Sequence, residues 1–207
     1  MYIYAFGSIC RGEIDELSDL DLLLIRDKSI NIENFDSEKY SIYSEERLND
    51  LWKEGNPFAW HLYLESKLIF STNTSDYLKE LGTPNEYKNV KEDLEKFYNL
   101  YLTSVESLIN SKNSIVFDLS TIFLSIRNFA TCYSISYLDK YNFSRNSALT
   151  IIENNLVISQ ECFSILEKAR VLSTRGLGKE ITKDEINLVQ NELPKINEWF
   201  YTIKNKI

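Results

Sequence analysis

Glycine and proline are scarce, with six and three among 207 residues. A chain so poor in both is neither collagen-like nor a flexible linker, and 43% apolar residues with 13% aromatics excludes broad disorder. Histidine occurs once, as His61, and the three cysteines (Cys10, Cys132 and Cys162) show no CxxC spacing. That is too few ligands for a zinc site or a disulfide framework, and free thiols suit a reducing compartment. Positive charge is also short. Lys and Arg total 23 against 31 Asp and Glu, a net charge of −8, so non-specific binding to nucleic acid or to an anionic membrane is not expected. The most apolar stretch, Ile115 to Leu138, is broken by Asp118 and Arg127 and is rich in hydroxyls. It reads as a buried helix rather than a membrane span. The opening Met1-Tyr2-Ile3-Tyr4-Ala5-Phe6-Gly7 lacks the basic start of a signal peptide. The expected setting is the cytoplasm.

What is present divides by hydrophobic period. Tyr2 to Phe6, Asp19 to Ile25, Lys39 to Ser44 and Lys67 to Phe70 read as short strands. Asn56-Pro57 opens a helix running to about Glu65, with Asn56 as cap and Pro57 at the first helical position. After Gly82-Thr83-Pro84 the period becomes helical. Val90, Leu94, Phe97, Tyr101, Val105 and Leu108 form one stripe, and Ile115 to Tyr137 form a second, central helix. Further helices are expected over Ala148 to Leu156 and, capped by Ser159, over Gln160 to Leu172. Thr182-Lys183-Asp184-Glu185 fits a capping box opening the last helix, which Pro194 should kink or split. Strands first and helices after predict an α+β fold. It comprises a small mixed-sheet domain over residues 1–85 and an all-α helical bundle over 86–207.

The chemistry concentrates in Phe6-Gly7-Ser8-Ile9-Cys10-Arg11-Gly12 and in Ser18-Asp19-Leu20-Asp21. Two carboxylates two residues apart on a strand share a face, with α-carbons roughly 6.5–7 Å apart. Leu20, Leu22 and Leu24 are then expected to point the other way, into the core. Asp19 and Asp21 can converge on a hard divalent cation, since Mg²⁺ is usually held by one or two carboxylates together with substrate phosphates. Gly7 permits close approach of backbone to ligand, and Ser8 offers a hydroxyl and an amide to phosphate oxygens. Taken as residues alone, Ser18-Asp19 and Gly7-Ser8 are also compatible with ordinary turns.

In these residues the chain resembles the DNA polymerase β-like nucleotidyltransferase superfamily, in particular small bacterial members with a helical C-terminal domain. Those proteins carry a Gly-Ser pair after a strand, often an Arg-Gly shortly after, and Ser-Asp-x-Asp at the head of the next strand. Gly7, Ser8, Arg11, Gly12, Ser18, Asp19 and Asp21 match that pattern. The resemblance implies Mg²⁺- or Mn²⁺-dependent transfer of a nucleoside monophosphate, AMP in the first instance, from ATP or another NTP. The acceptor would be a hydroxyl of an aminoglycoside-like small molecule or of a protein. Asp19 and Asp21 would be catalytic and metal-binding, and Gly7, Ser8, Arg11 and Ser18 nucleotide-binding. Active members carry a third acidic residue on a later strand. Here Ser41 falls at that position, flanked by Glu38, Glu45 and Glu46. The alternative is therefore a catalytically degenerate member serving as antitoxin or nucleotide sensor. Arg127 is not followed by the histidine that completes a ribonuclease motif in some relatives' helical domains, and His61 reads as packed or surface-exposed rather than catalytic.

Overall fold

Alternating aromatic and aliphatic side chains carry Tyr2–Phe6 into a strand, β1, that occupies an inner place in a four-stranded sheet. The structure is a computed structural model and describes residues 1–13, 20–26, 35, 39–111 and 113–207. After β1 comes a single helical turn, α1 (Ser8–Arg11), then β2 (Asp21–Arg26) and β3 (Tyr40–Ser44). Two helices follow, α2 (Glu45–Glu54) and α3 (Pro57–Glu65), then β4 (Ser66–Ser71) and the short α4 (Tyr77–Leu81). The strand order is β3-β2-β1-β4. β1 runs antiparallel to both β2 and β4, whereas β2 and β3 are parallel. The fold is α+β, with a mixed sheet and its helices followed by a mostly helical region.

One face of the sheet is buried by α2, α3 and α4. Tyr4, Phe6, Leu23 and Ile25 meet Leu48, Trp52, Leu62 and Leu78 there. This corrects the expected orientation of β2. Leu24 is buried as expected, but Leu20 is 49% exposed, Leu22 is half-buried, and the helix-covered face takes Leu23 and Ile25. By the period of two, these lie on the face of Asp21 itself.

α2 was not anticipated. Ser44 caps it by accepting from the amide of Arg47 at 3.2 Å, Glu45 and Glu46 occupy its first turn, and Gly55 ends it in the left-handed region. α3 begins as expected, with Asn56 Oδ1 accepting from the amide of Phe58 at 2.9 Å and Pro57 in the first turn.

By contact the chain divides into two compact units, residues Met1–Asn89 with Asp139–Ser144, and Val90–Leu138 with Arg145–Ile207. Within the first, the Tyr141 ring packs at a tilt against Trp60 and Phe143 stacks on His61, with ring centroids 4.7 and 4.6 Å apart. The second contains α5 (Val90–Asn110), α6 (Ile115–Leu138), α7 (Ser147–Thr150), α8 (Gln160–Arg175) and α9 (Lys183–Lys204). α6 is long and apolar enough to cross a membrane by composition, yet most of it is buried, packed between α5 and α8. Two of its hydroxyls bond back onto the helix. Thr121 donates to the carbonyl of Phe117 and Ser125 to that of Thr121, each at 2.8 Å. Ser159 caps α8, and Thr182 with Glu185 forms the expected capping box of α9.

α9 runs past Pro194 as one helix, so it is not split there. One expectation fails here. The helix expected over Ala148 to Leu156 is confined to α7, because the chain doubles back: the amide of Leu156 donates to the carbonyl of Ala148 at 2.8 Å, and Glu153 adopts φ 72°.

Candidate active site

At the end of β1 the chain turns on Gly7, whose φ of 78° and ψ of −142° suit almost no other residue. The turn is closed by the amide of Cys10 donating to the carbonyl of Gly7 at 3.0 Å, and by the amide of Glu13 donating to that of Ser8 at 3.0 Å. Phe6 lies opposite Asp21 in the β1–β2 ladder, so the turn and the carboxylate sit side by side at one end of the sheet. A Cβ on Gly7 would lie 2.8 Å from Asp21 Oδ2. Glycine is therefore required twice, by the backbone angle and by the space that the carboxylate fills.

On the other side of β1, Phe6 pairs with Ser66, the first residue of β4. The residue before it, Glu65, closes α3, and its carbonyl accepts from the amide of Gly7 at 3.1 Å. The Glu65 carboxylate pairs with Arg11 Nη1 and lies 3.0 Å from His61 Nε2. Arg11 Nε also donates to Glu13 Oε2 at 2.8 Å. Burial would push the Glu65 carboxyl up, but His61 and Arg11 together outweigh it and hold the group below the ordinary carboxylate range. Burial acts to lower the Arg11 value, and its bonds to Glu13 and Glu65 reverse that, holding the charge more firmly. His61 is buried among Phe6 and Phe58, which present edge contacts, and Phe143, which stacks on it.

Of the residues singled out in the sequence, Gly7, Ser8, Arg11 and Asp21 meet at this end of the sheet. Ser18, Asp19 and Glu38 lie outside the described residues. Ser41 pairs with Leu23 in the parallel β2–β3 ladder and so shares the face of Asp21. Glu45 and Glu46 belong to the first turn of α2. Cys10 donates its thiol to the carbonyl of Ala5 at 3.4 Å, and burial pushes the thiol up, which suits packing rather than nucleophilic attack. Among the described residues, no group of three His, Cys, Asp or Glu side chains could hold a metal ion. Asp21 places its carboxylate oxygens beside the Gly7 turn.

Glu65 was missed in the sequence. The only local signal was its i,i+4 spacing from His61, and its bond to Arg11 spans 54 residues.

No family model matches the chain, and no curated protein matches it. A solved structure with a similar fold is spectinomycin adenyltransferase AAD(9) from Enterococcus faecialis, crystallised with ATP and spectinomycin. The two share 15% sequence identity and a TM-score of 0.46, over 99% of this chain and 91% of that one.

Proposed function

We propose that this protein is a Mg²⁺-dependent nucleotidyltransferase that moves a nucleoside monophosphate, AMP in the first instance, from its triphosphate onto a hydroxyl. The observation carrying this reading is the contact of the Asp21 carboxylate with the Cβ-free side of Gly7, which joins the two halves of the sequence motif. Asp19 and Asp21 would hold the divalent cation, with Ser8 and the amides of its turn taking the terminal phosphates. A cation bound there supplies charge neutralisation for the phosphate oxygens and the leaving pyrophosphate. The acceptor oxygen bonds to the α-phosphorus as the bond to the β-phosphate oxygen breaks. Pyrophosphate departs and the hydroxyl proton passes to a base or to water. The acidic chain, net charge −8, favours a cationic acceptor of the aminoglycoside type over a protein Tyr, Ser or Thr hydroxyl.

A second reading, a degenerate member acting as nucleotide sensor or antitoxin, is favoured by Ser41 lying on Asp21's face where an acid would assist the attack. One experiment separates the two. The chain is incubated with labelled triphosphates, Mg²⁺ or Mn²⁺, and candidate acceptors. Acceptor-dependent pyrophosphate release supports the enzyme. Binding without turnover, together with a gain of roughly 10²–10⁴-fold in Ser41→Asp, supports the degenerate reading, since that is the usual worth of a general base.

A further inference from the structure

We infer that Glu65 is a positioning residue for the phosphate-binding turn, fixing Gly7 through its main chain and Arg11 through its carboxylate. The inference rests on the nucleotidyltransferase reading above and concerns how its site is held.

The last carbonyls of a helix and its first amides, the cap's included, have no partners within their own helix. Here they serve each other: the carbonyl of Glu65, closing α3, accepts from the amide of Gly7, which precedes α1. The side chain makes a second tie to the same turn. Its carboxylate, 15% exposed, pairs with Arg11 at the end of α1 and contacts His61 one turn earlier on α3. His61 is itself wedged by Phe6 and stacked on Phe143, so the carboxylate is braced from behind. Backbone and side chain of one residue therefore hold both ends of the Gly7–Arg11 segment.

This changes the part expected of Arg11. Its guanidinium lies between two carboxylates, Glu65 and Glu13. A cation so neutralised adds little net positive charge for a phosphate. Its contribution is to keep α1 in place, so that the amides and hydroxyl at Ser8 keep their direction before any ligand arrives. Preorganised donors of this kind bind charge without reorganising at the moment of binding.

Glu65→Gln tests the inference, because it keeps the shape of the side chain and removes its charge. Hydrogen exchange at the amides of residues 7–12 should rise about tenfold, as expected when a charge-assisted bond is lost, while exchange in β2 and β3 stays unchanged. MgATP affinity, read by calorimetry at a temperature where both proteins are fully folded, should fall about tenfold or more, the usual cost of losing a supporting contact. Unchanged exchange at residues 7–12, or a rise spread evenly over the sheet, overturns the inference. So does wild-type MgATP affinity in the variant. A wild-type protein that fails to bind MgATP overturns the nucleotidyltransferase reading instead, and the exchange measurement still decides the clamp.

Discussion

Two glycines in the first unit both take positive φ, but Gly55 lies in the left-handed helical region and Gly7, with ψ −142°, lies outside it, and they differ further in what a methyl group would strike. Gly55, at φ 64°, ends α2, and a Cβ there would lie 2.3 Å from the carbonyl oxygens of Asn85 and Glu86. That segment is laid across the α2–α3 corner by several bonds. The Asn85 amide donates to Trp52 O at 2.9 Å, Trp52 Nε1 to Gly82 O at 2.9 Å, and Trp60 Nε1 to Asn85 O at 3.1 Å. Gly7 meets instead the tip of a side chain, the carboxylate of Asp21. Main chain tied at both ends cannot retreat, whereas a carboxylate can swing away, but only by leaving the site. One glycine makes room for main chain and the other for the Asp21 carboxylate.

Substitutions at the two turns should therefore separate stability from ligand binding. Gly55→Ala should have the largest effect on the fold, about 3 kcal/mol or more from backbone strain plus overpacking against main chain. Urea unfolding will show it, and the remaining folded protein should bind MgATP as wild type does. A loss below about 1 kcal/mol would mean that the segment over Gly55 yields freely. Gly7→Ala should cost the strain alone, about 1–3 kcal/mol, yet weaken MgATP about as much as Asp21→Asn does. Nearly normal MgATP affinity in Gly7→Ala would erase the distinction between the turns.

Asp21→Asn should leave stability close to wild type while abolishing Mg²⁺-dependent triphosphate binding, because it changes charge without changing volume. Calorimetry with and without Mg²⁺ measures this, and retained Mg²⁺-dependent affinity would contradict the assignment. The smallest effect concerns pH. Glu65 is held below the ordinary carboxylate range, so its stabilising contribution is fully present above its unfolded value and is lost as the pH falls through its folded one. The stability gap between wild type and Glu65→Gln should thus be constant near neutrality and close below about pH 4. A gap that widens on acidification would show that Glu65 is not the ionised partner of Arg11.

Local signals in the sequence were sufficient where one turn of chain decides the outcome. Asn56 and Ser159 cap their helices, and Thr182 with Glu185 forms its box, because each bond lies within three residues. The facing of β2 was not legible in this way. Leu23, Leu24 and Ile25 are all buried, so the alternation that would reveal the faces is absent. α2 has local signals of its own, Ser44 as a good cap and Leu48, Leu51 and Trp52 at helical spacing, but Glu45 and Glu46 read equally as acids flanking the strand that ends at Ser44. Over Ala148 to Leu156 the reverse occurred: Ala148, Ile151 and Leu156 are buried at nearly helical spacing in a segment that folds back on itself. In the site, Gly7 and Asp21 belong to one short motif and were visible together. Glu65 reaches them only through tertiary structure.

The central place of β1 also sets an order of assembly. It is antiparallel to both neighbours, and Tyr2 finds its partner Ser71 only at the far end of β4. As the chain leaves the ribosome, the segment bearing the Gly-Ser pair emerges before Glu65, and the amide of Gly7 has no acceptor until Glu65 closes α3. Pairings so distant in sequence form late, after the intervening loop entropy has been overcome. A fragment ending at Arg26 would carry every residue of the recognisable motif and still present β1 with one bare edge and an unanchored turn. The motif is a short word whose meaning is supplied some forty residues later.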